Sequence, residues 1–388
     1  MEFSNRLQQL PEQFFSKLAS RTKQAMLQGR DIINLGQGNP DQPTPPHIVK
    51  AMQEAVANPQ NHRYSPFRGI PEMHQAAAAF YKREYGVEVD PDTEVAVLAG
   101  TKIGLVELPL ALLNPGDLLL LPDPGYPDYL SGAPLAEARF ETMPLKAENN
   151  FLPDYAELSL SAKEQAKLMY LNYPNNPTGA VADHQFFTET VEFAKHHAIG
   201  VVHDFAYGAV GFDGVRPPSF MQAEGAKEVG IEMYTLSKTY NMAGWRIGFA
   251  VGNAQMIEAL NIIQDHLFAG LSPALQIAAA EALTASQQCV IELNGTYESR
   301  RNVLKAECER IGWHIEAPKG SFFAWLPVPE GFTSMEFTDL LLEKADIAVA
   351  AGSGFGESGE GYVRVGLLVD EARIVEAIQR IEKLELFG

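Results

Sequence analysis

Cysteine is almost missing from this chain: Cys289 and Cys308 are the only two in 388 residues. Two are too few for a disulfide framework, and neither belongs to a C-x-x-C pair. Long hydrophobic runs are also lacking. No apolar stretch reaches 18 residues, and the opening MEFSNRLQQLPEQFFSKLASRTKQ is charged throughout, so neither a membrane span nor a signal peptide is expected. Positive charge is in short supply, with 30 Lys and Arg against 49 Asp and Glu, for a net charge of −19. A field of that sign repels phosphate backbones and anionic lipid surfaces, which argues against nucleic acid and membrane as partners; a local basic patch can still hold an anion. What the chain has in quantity is core material. Hydrophobic residues make up 46% and charged residues 20%, which excludes disorder and fibrous architectures. The expectation is a soluble, cytoplasmic protein of two or three domains, or one large α/β domain with a satellite.

Leu10-Pro11 interrupts the N-terminal pattern, and Phe14 to Leu27 reads as an amphipathic helix. A short strand at Ile32-Ile33-Asn34-Leu35 runs into Gly36, Gly38 and Pro40, with Pro43, Pro45 and Pro46 behind it, a boundary signal. Helical stretches then alternate with short apolar runs: VAVLAG (95–100), DLLLLP (117–122), KLMYLNYP (167–174), IGVVHDF (199–205), EMYTLSK (232–238) and IGFAVGN (247–253). Such alternation predicts a mainly parallel sheet covered on both faces. Residues 274–311 read as one long helix, after which SFFAWLPV (321–328), IAVAAG (347–352) and YVRVGLL (362–368) form a smaller α+β unit. The expected division is a large domain over 46–283, with 1–45 and 284–388 supplying an N-terminal arm and a small domain.

In open α/β sheets ligands sit at the carboxyl ends of the strands. The residues closing these runs are Gly100-Thr101-Lys102, Asp123-Pro124-Gly125-Tyr126, Asn172 to Gly179, Asp204 with Tyr207, and Ser237-Lys238. A nicotinamide enzyme requires a Gly-rich turn in its first βα unit, which is absent; the one G-x-G-x-x-G, at Gly354, Gly356 and Gly359, has no βαβ unit behind it and reads as a loop. A lysine at one strand end beside an aspartate on the next points instead to a Schiff-base lysine and an electron-sink cofactor.

TLSKTYNMAGWRIGF (235–249) resembles the cofactor-lysine segment of the class I/II aminotransferases, the fold-type-I enzymes that use pyridoxal 5′-phosphate. NYPNNPTGA (172–180), DFAY (204–207) and YVRVGL (362–367) recur there in the same order. The resemblance spans the whole chain and implies a fold-type-I α/β protein, and no metal is called for. It implies that Lys238 holds the cofactor covalently and shuttles the substrate proton, and that Asp204 pairs with the pyridine nitrogen. Asn176 and Tyr207 correspond to donors to the cofactor 3′-oxygen. Arg246, the backbone of Thr101 and Lys102, and Thr235 correspond to phosphate ligands. Tyr126 corresponds to the ring stacked on the pyridine, with Tyr129 as the alternative. Tyr64 resembles a tyrosine that reaches the cofactor phosphate of the neighbouring subunit, implying a homodimer with shared sites. Arg364 matches the fork that clamps the substrate α-carboxylate, and Gly38 a backbone donor beside it. His203 is either a donor tuning Asp204 or an ordinary buried histidine.

The implied reaction is transamination between an amino acid and a 2-oxo acid. INLGQGNPDQPTP and VVHDFAYGAVGFDG look closest to the methionine-salvage transaminases of Bacillus-like bacteria, which aminate 4-methylthio-2-oxobutanoate. Aspartate, aromatic or LL-diaminopimelate transamination, or a carbon–sulfur lyase, are the alternatives on the same scaffold. No motif places a second arginine for a distal carboxylate, although Arg63 and Arg68 flank Tyr64. Regulators that use this fold as a sensor carry an N-terminal DNA-binding domain, for which the arm here is too short.

Overall fold

The computed structural model describes residues 2–11 and 14–387. Twelve strands are present among them: β1 Ile33–Asn34, β2 Val95–Leu98, β3 Leu118–Asp123, β4 Arg139–Pro144, β5 Ala166–Leu171, β6 Gly200–Asp204, β7 Gly230–Thr235, β8 Gly248–Gly252, β9 Phe323–Pro327, β10 Ile347–Ala348, β11 Ala350–Ala351 and β12 Tyr362–Gly366. Seven form the main sheet, in the order β2-β8-β7-β6-β5-β3-β4. From β4 to β7 the pairings are parallel, while β8 runs antiparallel to both β7 and β2. Every residue of β2, β3, β7 and β8 is buried, as a sheet covered on both faces requires. β4, the one main-sheet strand not anticipated, is RFETMP at the sheet edge and largely exposed. An edge strand needs no apolar run, so the hydrophobic signal passes it over.

The chain leaves β3 outward to β4 and then returns to its other side as β5. Connections departing in opposite directions open a crevice at the carboxyl ends of these strands. Helices Pro71–Tyr85 and Pro273–Thr284 pack on one face, and Thr101–Leu112 with Ala254–Leu267 on the other. Glu232 of β7, fully buried, ties one face together. Its carboxylate accepts from Tyr81, Ser219, the Phe220 N–H and His203 Nδ1.

A second hydrophobic core lies around the antiparallel sheet β11-β12-β9 and helices Gln288–Arg310, Ser334–Ala345 and Glu371–Glu382. Two sequence expectations need correction here. IAVAAG is two strands: β10 pairs parallel with β1, whereas β11 pairs with β12 in the other sheet. The long helix expected over 274–311 is two, Pro273–Thr284 and Gln288–Arg310. Ala285 turns extended at ψ −178°, and the Gln287 side-chain amide donates to the carbonyls of Ala282 and Ala285. Those contacts satisfy helix-end acceptors that a continuous helix would have used itself. The helix Phe14–Leu27 forms as read.

Candidate active site

The strand ends converge on a cavity of about 440 Å³, within the range usual for small-molecule sites. Gly38, Thr101, Lys102, Tyr126, Asn176, Asp204, Tyr207, Thr235, Lys238, Arg246 and Arg364 all line it. Tyr64 does not. It stands 88% exposed on the surface of the chain.

Asp204 closes β6 with its carboxylate buried. Tyr129 donates to Oδ2 at 2.7 Å, while Oδ1 is buried with no partner. Burial raises this carboxyl above the ordinary range, opposed by the Tyr129 hydrogen bond. Lys238 follows β7 on the short helix Leu236–Thr239, and its Nζ donates to the Gly38 carbonyl at 3.0 Å. Burial first, then the positive fields of Arg364 and Arg246, bring its amine down to about 8.

On one flank is the start of the helix Thr101–Leu112. Gly100 enters it at φ +86°, where a Cβ would lie 2.5 Å from Arg246 Nη2. Only glycine lets the arginine approach this helix N-terminus, and together they form an anion cradle. Thr235 Oγ1 lies 2.9 Å from Ser237 Oγ and accepts from the Ser237 N–H. Lys102 pairs its Nζ with Asp128 at 2.8 Å.

On the other flank is Arg364, 1% exposed. Its Nη1 donates to Asn176 Oδ1 at 2.8 Å and its Nη2 to the Gly36 carbonyl at 3.0 Å. Burial lowers this guanidinium to about 10. Asn172 holds the loop beside it, accepting from the Asn176 N–H and donating to the Asp204 carbonyl. Tyr207 sets its ring edge-on against Phe322 and Phe323.

His203 makes no hydrogen bond to the Asp204 side chain, although its field is among the influences that lower that carboxyl. Alternation along β6 turns it to the opposite face, where Nδ1 meets Glu232 at 2.7 Å and Nε2 accepts from the Tyr173 N–H. Tyr129 was read from the sequence only as an alternative stacking ring, yet it is the residue that holds Asp204. Phe15, Leu18, Ala19 and Thr22 also line the cavity. Their i, i+3, i+4, i+7 spacing marks one helix face, but nothing along the chain says against what that face packs.

A model of the family "Aminotransferase class I and II" matches residues 30–381. The chain is 65% identical over 386 residues to the L-glutamine–4-(methylsulfanyl)-2-oxobutanoate aminotransferase of Bacillus subtilis, covering 100% of this chain and 97% of that one. It is 45% identical to the LL-diaminopimelate aminotransferase of Moorella thermoacetica, covering 99% and 98% of the two chains. The apo structure of BacF from Bacillus subtilis superposes with a TM-score of 0.96 at 50% identity, covering 100% of both. With the family model spanning nearly the whole chain and the fold matched from end to end, this protein belongs to the class I and II aminotransferases and has the type I fold of that family.

Proposed function

We propose that this aminotransferase carries pyridoxal 5′-phosphate and moves the amino group of L-glutamine to 4-methylthio-2-oxobutanoate, forming methionine, as a cytoplasmic homodimer with shared sites. The observation that carries the substrate reading is the 65% identity over essentially full length to a relative with that name. The cavity agrees with the cofactor. A buried carboxylate oxygen without a partner, a lysine lowered to about 8 and a glycine-lined cradle under Arg246 match a protonated ring nitrogen, an aldehyde and a phosphate in turn.

When bound, the cofactor supplies the aldehyde that takes up the amino group and a pyridinium ring that draws electron density from the substrate carbon. Tyr129 fixes Oδ2 of Asp204, so Oδ1 is the atom left to hold the ring-nitrogen proton. Opposite charges about 4 Å apart attract by about 4 kcal/mol at an effective dielectric near 20, or about three pKa units. Tyr126, which lines the cavity, would supply the ring that packs on the pyridine. The Thr101 and Lys102 backbone, Thr235 and Arg246 would hold the phosphate, joined by Tyr64 of the partner subunit. Asn176 gives its carbonyl oxygen to Arg364, which leaves its amide N–H, with the Tyr207 hydroxyl, to donate to the 3′-oxygen. Lys238 would hold the cofactor, and its free amine would carry the proton to and from the substrate Cα. Arg364 and the Gly38 N–H grip the α-carboxylate.

Arg68 is engaged elsewhere, donating to both Glu258 and Asp265, which removes one of the two arginines flanking Tyr64 as a cation for a distal carboxylate. An unpaired buried carboxylate costs several kcal/mol, whereas a thioether chain gains about 0.8 kcal/mol per buried methylene. Steady-state kinetics over a panel of 2-oxo acids test this. 4-Methylthio-2-oxobutanoate should exceed oxaloacetate by roughly tenfold or more in kcat/KM. Oxaloacetate as the best acceptor would overturn the substrate reading and leave the aminotransferase chemistry standing.

A further inference from the structure

The glycine-rich segment GFGESG (354–359) is a loop, but it is packed against the site. Arg364 is buried with no Asp or Glu in ion-pair contact among the described residues. Its guanidinium carbon lies 3.9 Å from the ring centre of Phe323, 4.8 Å from that of Phe355 and 4.9 Å from that of Phe15. These rings come from three elements: β9, the turn Gly352–Phe355 and the helix Phe14–Leu27. An aromatic face stabilises a cation through its quadrupole, most strongly when water is excluded. It offers no acceptor to the in-plane N–H groups. A carboxylate neighbour would also stabilise the charge but would fill the fork. Here Asn176 and Gly36 take one N–H each, and Nε has no partner.

The glycines let the rings close. A Cβ on Gly354 would meet Phe14 Cε2 at 2.2 Å, and one on Gly356 would meet Asp123 Oδ1 at 1.9 Å. Asp123 accepts from the Ser358 N–H, and the Phe355 carbonyl from the Gly125 N–H. Phe355 is thereby pinned, edge-on to Phe14 at 5.6 Å and to Phe15 at 5.7 Å.

We propose that Phe355 and Phe15 are positioning residues for the α-carboxylate clamp, an aromatic clasp that holds the Arg364 cation in place while leaving its N–H edge open to the substrate. This rests on the reading of Arg364 as that clamp. In the cofactor-loaded enzyme, Phe355→Leu and Phe15→Leu should each raise KM for chemically different 2-oxo acids by a similar factor, on the order of tenfold, with kcat within about twofold. Calorimetric titration with 4-methylthiobutanoate, which has the carboxylate but no 2-oxo group, should show Kd raised by the same factor. Phe355→Tyr, which keeps the ring, should restore both values. Should Phe355→Leu fail to fold, the Phe15 variant on the outer helix still decides. Unchanged KM and Kd in the leucine variants, a fall in kcat alone, or no rescue by tyrosine would overturn the clasp. Arg364→Lys, run in parallel, separates the two readings: if it leaves carboxylate binding intact, the clamp itself is wrong.

Discussion

Asp204 ends β6 and Lys238 follows the neighbouring parallel strand β7, and burial acts on them in opposite ways. It lowers the amine and raises the carboxyl, disfavouring the charged form of each. For Lys238 the consequence is chemical, because only the neutral amine attacks an aldehyde. With its pKa lowered from 10.5 to about 8, half the amine is neutral near pH 8. Uptake of pyridoxal 5′-phosphate by cofactor-stripped protein, followed by absorbance, should therefore speed up about tenfold per pH unit below 8 and level off above it. A rate still climbing past pH 10 would contradict the burial argument. Lys238→Ala should bind the cofactor without a covalent link and lose turnover. Both residues were legible from the chain because each closes an apolar run. Tyr129 was not, since its role depends on a contact across 75 residues of sequence.

At the scale of elements, the break between Pro273–Thr284 and Gln288–Arg310 shows what hydrophobic pattern misses. Residues 284–288, Thr-Ala-Ser-Gln-Gln, hold neither proline nor glycine to announce a break, and the freed helix end is satisfied by one side chain. Gln287 caps two carbonyls and accepts from Tyr240 at 2.7 Å. Gln287→Ala should lower stability to urea by about 1–3 kcal/mol, leaving the cofactor absorbance unchanged. A shift under a few tenths would mean that packing alone makes the break. Strand β4 was missed for the opposite reason: an exposed edge carries no apolar run for a sequence reading to find.

At the scale of the whole molecule, Tyr64 stands exposed on the surface of the chain. Phe67, Ile103 and Leu267 are exposed with it, and we propose that a second copy covers them. We also propose that residues 46–283 form the large domain, with 1–45 and 284–388 forming the arm and the small domain. Hybrid complementation tests the shared site. Lys238→Ala mixed with Tyr64→Phe, which must be impaired alone, should regain activity above either parent after subunit exchange. The hybrid then has one site with neither substitution. No gain after confirmed exchange would remove the partner's Tyr64 from the site.

The chain by itself determined its α/β class, the main-sheet strands other than β4, and the polar residues at their ends, because strand burial and strand termination are local properties of a short run. Lys238, Asp204 and Asn176 were legible in that way, whereas Arg246, just before β8, and Arg364, within β12, were identified only through the family resemblance. Only the tertiary structure decided that His203 faces Glu232 and that Tyr129 holds Asp204. It also decided that a loop of glycines brings Phe355 onto Arg364, and which helix face closes the cavity. Each of these depends on which distant surfaces meet, and side-chain periodicity reports that a face is buried without naming its partner.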